Sequence, residues 1–325
     1  MKNYPHDEFF KYLFSILEAA KVFFQTFLPA DVLACLDLET LEPDETDYIT
    51  PELASVFSDK VFRCRLRGKT TDILTAIALL LEHKSYAPAY PHFQLNEYRQ
   101  RIWAKQLQSG HKPVMVLPVI LYHGDEEWKM RSMEKYFTEV PEALKPYLGD
   151  FDYVLINLRR FSDRDLLHIR LGFLAYGLLT MKHSSDKTYL VEQFKLIFEQ
   201  GEEFLKTEQG RNFVEHLFVY YARISEISGE NLKRKIVNQS KDMQTTLVST
   251  YEQIKAEGRI EGIKEGIKET SLKVAGKLIL KFPTWPDEQI AEICGLSLKE
   301  VKTIRDTIEK KKRPSRPSGK KPSGD

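Results

Sequence analysis

Cysteine is scarce in this chain, and neither sign of charge is in excess. The three cysteines, Cys35, Cys64 and Cys294, lie far apart and show neither a CxxC pair nor a Cys/His zinc spacing. That argues against a disulfide framework and against structural zinc, and it makes a reducing cytosol the natural compartment. Lysine and arginine total 48 against 47 acids, a formal net charge of +1. Attraction to nucleic acid must therefore come from local patches rather than a global field. No run of 18 apolar residues occurs, and Met1 to Glu8 lack the basic-then-apolar layout of a secretory signal. The expectation is a cytoplasmic chain with no membrane partner. With 42% hydrophobic residues over 325 positions, there is core material for about two domains at roughly 150 residues each.

What the chain does have is a pair of strand-like runs, Lys60 to Leu66 and Ile73 to Leu81, around the polar turn Gly68-Lys69-Thr70-Thr71-Asp72. Asp59 stands just before the first run and Glu82-His83-Lys84 just after the second. In an antiparallel hairpin the paired residue numbers sum to a constant, so a turn centred between Thr70 and Thr71 sets Asp59 opposite Glu82. Alternation along the strand then puts Lys84 on the same face as Glu82 and turns the His83 side chain away, leaving its backbone carbonyl as a candidate oxygen ligand. Facing carboxylates repel unless something neutralises them, and a hard divalent cation such as Mg²⁺ suits an all-oxygen pair. Asp59 and Glu82 are thus candidate metal ligands, and Lys84 can orient water or phosphate. That combination suits phosphodiester hydrolysis. A surface cross-strand cluster is the competing account.

Around this hairpin the pattern alternates. His6 to Phe27 carries a wide aromatic helical face, Asp37 to Asp47 is an acidic stretch read as a polar linker, and Phe93 to Leu107 is an amphipathic helix. Val114 to Tyr122 and Phe151 to Leu158 are continuous apolar runs that read as strands buried on both faces. His123-Gly124 after the first of these reads as a turn or as part of a cleft. Leu166 to Met181, Lys187 to Gln200 and Arg211 to Ile224 read as helices. The fold class expected is α/β, a mixed central sheet flanked by helices and followed by an all-helical C-terminal region.

The C-terminal region has two features of its own. Glu257-Gly258, Glu261-Gly262 and Glu265-Gly266 repeat every four residues, a helix weakened by glycine that invites a partner or serves as a flexible linker. Ile290 to Val301, with Ala291 and Gly295, has the small residue, turn glycine and apolar anchor of a helix-turn-helix. Lys299, Lys302 and Arg305 decorate its second helix, so the pair either contacts DNA or joins copies into a homodimer or higher homo-oligomer. The expected segments are residues 1–182 for the catalytic unit, 183–240 helical, 241–274 linker, 275–310 helix pair and 311–325 disordered basic tail.

The Asp59 and Glu82-His83-Lys84 arrangement resembles the PD-(D/E)xK nuclease superfamily, with Ser58-Asp59 where that name has Pro-Asp. His6 to Phe14, Leu79 to Ser85, Tyr98 to Trp103 and Leu117 to Gly124 together resemble the recombination-promoting nuclease (Rpn) family, also labelled putative transposases. The Glu-Gly echo and terminal helix pair are similar to that family's C-terminal region. The resemblance implies a restriction-endonuclease-like sheet and a Mg²⁺-dependent DNA endonuclease linked to mobile DNA. It also implies Asp7, with Glu8 behind it, as a further acid near the metal. Lys11 on the first helix reads as a phosphate contact or a solvated lysine, and Arg99 and Arg101, on the helix after the Glu-x-Lys strand, are candidate contacts to the DNA backbone. A non-catalytic DNA-binding or assembly protein on the same scaffold is the alternative.

Overall fold

A five-stranded sheet in the order β1-β2-β3-β4-β5 organises the computed structural model, which describes residues 5–44, 60–68, 76–199 and 201–312. The strands are β1 Leu36–Pro43, β2 Lys60–Leu66, β3 Ala76–Lys84, β4 Met115–Tyr122 and β5 Val154–Asn157. Strand β2 runs antiparallel to both β1 and β3, whereas β3, β4 and β5 are parallel. The sheet is therefore mixed, as the patterning implied. Parallel neighbours need a crossover, and helix Pro91–Gln108 supplies it between β3 and β4.

Several boundaries depart from what the sequence suggests, and the helix expected from Lys187 to Gln200 is two helices, Lys187–Glu192 and Phe194–Glu199. The stretch expected as a linker after Asp37 is instead edge strand β1, which buries Leu36, Leu38 and Leu41. A register shift between Asp37 and Glu42 breaks the alternation, and an edge strand tolerates the outward acids that made it look like a loop. The helix expected from Leu166 to Met181 is two helices. A capping box between Ser162 and Asp165 starts Asp163–Leu167, and Gly172–Lys182 follows a separate turn.

In chain order the helices are α1 Pro5–Leu13, α2 Leu17–Phe27, α3 Ala30–Cys35, α4 Pro91–Gln108, α5 Asp163–Leu167, α6 Gly172–Lys182, α7 Lys187–Glu192, α8 Phe194–Glu199, α9 Gly201–Phe204, α10 Glu208–Ser225 and α11 Gly229–Val237. One sheet face packs on α2, where Phe24 meets Phe62 edge-on with ring centres 5.7 Å apart. The helix α1 lies on the same side, its Phe9 ring stacked on Tyr220 of α10 at 4.4 Å. The opposite face receives Leu95, Tyr98 and Ile102 of α4 against Val116, Ile120 and Tyr122 of β4. Each such fully buried apolar side chain contributes about 1.5–3 kcal/mol relative to exposure, so the helices on both faces hold the sheet between them.

The chain divides into two compact units, Met1–Thr250 and Tyr251–Asp325. The long helix α12, Lys241–Lys281, contains the Glu-Gly echo. In the second unit its Ala275 and Ile279 pack with Ile290, Ala291 and Cys294 of α13, Asp287–Cys294, and with Val301 of α14, Leu298–Lys312. Gly295 ends α13 at φ 63°, the left-handed conformation that favours glycine. Ser297 and Glu300 then cap α14 reciprocally. The basic tail from residue 313 onward lies outside the described residues. Among those described, no helix is long and apolar enough to cross a membrane.

Candidate functional site

Lys60 pairs with Leu81, Val61 with Leu80 and Arg65 with Ala76. Each pair has the same residue-number sum as 59 and 82, the register that the turn centre dictates. Asp59 itself, and the turn residues 69 to 75, lie outside the described residues. Position 82 lies within β3 beside Ile120, its side chain being outside what is described. His83 pairs with Leu121 and Lys84 with Tyr122. The Glu82-His83-Lys84 triplet is thus the end of the strand rather than the residues after it.

Lys84 is only 9% exposed. Its carbonyl accepts a hydrogen bond from the His123 amide at 3.1 Å, which closes β3 onto the turn after β4. In that turn, Gly124 meets Ser85 so closely that a Cβ there would lie 2.3 Å from the Ser85 carbonyl oxygen. The Arg159 guanidinium ties the end of β5 to the same point, donating to the Gly124 carbonyl at 3.0 Å and pairing with Asp125. The C-terminal ends of three parallel strands therefore converge, the place where open α/β sheets bind ligands.

The alternation that sends Lys84 to one side sends His83 to the other, where it enters a buried polar cluster. His83 Nε2 stands 2.5 Å from His123 Nε2, and the His6 ring centre lies 5.0 Å from that of His123. Asp7 Oδ1 lies 3.4 Å from His83 Nδ1. The acid expected beside the metal is therefore on the side of β3 that His83 faces, opposite to the side of Lys84. Burial is the main cause that lowers all three imidazoles. It takes His6 to about 4 against the opposing pull of Asp7, lowers His83, and takes His123 well below the usual range, with the neighbouring rings adding to the effect. At neutral pH the three rings are uncharged.

The sequence reading assigned the His83 side chain no role and did not include His6, Ser184 or Tyr220. Positions 6, 83, 123, 184 and 220 share no local spacing. Only the parallel β3–β4 register and the seating of α1, α6 and α10 bring them together.

The basic candidates divide by environment. Lys11 on α1 is half-buried near Lys60, whose ammonium is lowered first by burial and then by the Lys11 charge. Arg99 lies over the Trp103 and Phe151 rings, 4.8 and 4.1 Å from their centres, and Arg101 pairs with Glu97 one turn earlier. Arg305 is committed within the second unit, donating to Asp287 and to the Pro283 and Trp285 carbonyls. Lys299 and Lys302 are exposed on α14. Among the described residues, no three His, Cys, Asp or Glu side chains stand in metal-ligating geometry.

A mixed sheet whose central strand ends in Glu-His-Lys, covered by helices on both faces, defines an α/β protein whose candidate site lies at a strand terminus. The chain belongs to the family described as "Putative transposase, YhgA-like", whose model matches residues 4–210. It is 24% identical over 280 residues to the Inactive recombination-promoting nuclease-like protein RpnE of Escherichia coli K12, covering 85% of this chain and 89% of that one. It is also 28% identical over 203 residues to the Recombination-promoting nuclease RpnA of the same organism, covering 61% and 66%. No solved structure gives a significant match.

Proposed function

We propose that this protein is a metal-dependent DNA endonuclease with a role in recombination, in which Asp59, Glu82 and Lys84 act together. The observation that carries the reading is the Lys60–Leu81 register, because continuing it by one pair matches the acid before β2 with the acid near the end of β3. Two carboxylates and the His83 carbonyl form an oxygen donor set that fits Mg²⁺. The cation, when bound, supplies a more acidic water and neutralises charge on phosphate. Lys84 orients the attacking water or a phosphate oxygen, and its low exposure keeps its amine where bulk water screens it least. The family match and the name of RpnA support this reading.

The second reading, a non-catalytic DNA-binding or assembly protein on the same scaffold, draws on RpnE, which is named inactive although it matches most of this chain. In that reading α13 and α14 are the operative element, joining copies or contacting DNA. Nicking of supercoiled plasmid by wild type and by Asp59→Ala, each in Mg²⁺ and in EDTA, distinguishes the two. The endonuclease reading expects nicking that requires both Mg²⁺ and Asp59. Equal behaviour of the two proteins supports the binding reading.

A further inference from the structure

Helix α4 carries a second face beside the one that enters the core. Leu95, Tyr98 and Ile102 join Val116 and Ile120 of β4 in that core, whereas Gln100, Trp103 and Leu107, spaced i, i+3 and i+7, share a different side of the helix. With Pro113, Val114 and Met115 they line a groove of about 560 Å³. Gln100 and the indole N–H of Trp103 are the polar side-chain groups among these six residues. Leu107 is 60% exposed and Met115 66%, so the groove holds apolar surface open to solvent.

Trp103 shapes the groove from within. Its indole N–H donates to the Val114 carbonyl at 2.8 Å, and Gln106 Oε1 accepts from the Val114 amide at 3.0 Å. Both backbone groups of Val114 are thereby met by α4 side chains, which pins the entry to β4 against the helix. Indole has no other polar atom, so the rest of Trp103 is ring surface, the kind on which a nucleic-acid base stacks. Charge then selects the occupant. From Arg99 to Met115 the chain carries Arg99, Arg101, Lys105 and Lys112 and no acid. Glu97 offsets Arg101, and the Arg99 guanidinium lies 4.8 Å from the Trp103 ring centre. Asp150, beside the Phe151 ring that Arg99 also covers, accepts from the Met133 and Phe151 amides. A polyanion with flat apolar faces matches both the cations and the groove, whereas an apolar protein segment would leave the cations without a counter-charge. Unpaired DNA is such a polyanion, and a duplex hides its base faces in the stack.

We propose that this groove binds an unpaired base of single-stranded DNA against Trp103, with Gln100 at the base edge and the cations of the Arg99 to Lys112 stretch meeting the flanking phosphates. Met115 and Tyr122 are the two ends of β4, roughly 23 Å apart at the usual strand rise. The groove is therefore at the opposite end of the sheet from Lys84, and a strand held there is several nucleotides removed from the candidate site. The inference rests on the reading that this protein acts on DNA, and it does not require cleavage.

The test titrates a fluorescein-labelled oligothymidylate of about fifteen nucleotides with full-length protein in EDTA, following anisotropy, and adds unlabelled single strand or duplex of the same length as competitor. Wild type is expected to bind, and the single strand to compete about tenfold better than the duplex. Leu107→Glu and Met115→Glu alter exposed positions, so each is expected to keep its circular dichroism. Each should weaken binding by about 5–150-fold, the range for losing one stacked base. Trp103→Phe keeps a stacking ring and is expected to bind within a few-fold of wild type, while losing the quenching of tryptophan emission by the oligonucleotide. Wild type that does not bind, glutamate variants that bind as wild type does, or a duplex that competes equally well each overturns the proposal. A wild-type dimer that Met115→Glu converts to monomer overturns it too, by making the groove an interface between copies. Plasmid nicking without oligothymidylate binding overturns this inference alone, and binding without nicking leaves it standing while the endonuclease reading fails.

Discussion

Lys60 and Leu81 are paired across β2 and β3, and their numbers sum to the same value as those of Asp59 and Glu82. Continued by one pair, that register would set the acid that precedes one strand opposite the acid near the end of the next, as the proposed site requires. Each described member of the proposed site makes its own prediction. Lys84→Ala and Glu82→Gln should each lower the plasmid-nicking rate at saturating Mg²⁺ by about 10²–10³-fold, the loss usual for removing one electrostatic contributor. Rates within a few-fold of wild type would remove these residues from the chemistry.

The turn after β4 has no space for a side chain. A Cβ at Gly124 would lie 2.3 Å from the Ser85 carbonyl oxygen and 2.6 Å from the Tyr122 hydroxyl. Gly124→Ala should cost about 1–3 kcal/mol, the range for overpacking, and lower the melting temperature by roughly 2–4 °C per kcal/mol. An unchanged melting curve would mean that the turn relaxes without cost.

Asp163 provides a pH dependence with a definite sign. Burial on its own would raise its carboxyl, but hydrogen bonds from Lys182, Tyr189 and His183 outweigh that and hold it at about 2, against an ordinary 3.8. A depressed acid stabilises the fold above its unfolded pKa, and that contribution fades as pH falls from about 4 toward 2. The shift corresponds to about 2 kcal/mol at neutral pH. Asp163→Asn should therefore be less stable than wild type by about that much in denaturant melts at pH 7, with the gap narrowing below pH 4. A gap that does not depend on pH would assign the loss to packing.

On α14 the cations have different duties. Lys299 and Lys302 are exposed, whereas Arg305 holds Asp287 and two carbonyls of the segment before α13. If α14 lies along DNA, replacing Lys299 and Lys302 together with alanine should reduce the slope of log affinity against log salt by about 1.8, near 0.9 for each phosphate that a lysine neutralises. Arg305→Ala should instead loosen the second unit, seen as faster amide exchange in α13. A salt slope unchanged by the lysine pair would favour assembly as the task of these helices.

Much of this architecture is legible in the residues themselves. The buried parallel strands β4 and β5 announce themselves as uninterrupted apolar runs, and the register expected from a turn centred between Thr70 and Thr71 is the one β2 and β3 adopt. The Ala291, Gly295 and Val301 spacing marks the helix pair, because close packing, a left-handed turn and a buried anchor each require a particular residue type. Strand β1 was hidden by its edge position, where Asp37, Glu39 and Glu42 can face water and a register shift spoils the alternation. The histidine cluster was hidden for a different reason. Its members are brought together by long-range seating of α1 and α10 on the sheet, and no local pattern encodes that.

A divalent ion shared by Asp59 and Glu82 is central to the proposed chemistry. Titration of the full-length protein with Mn²⁺, with the unbound ion followed by electron paramagnetic resonance, tests this without relying on catalysis. The expected result is Mn²⁺ uptake by wild type and its loss in both Asp59→Ala and Glu82→Gln. Equal uptake by all three proteins would contradict a shared ion.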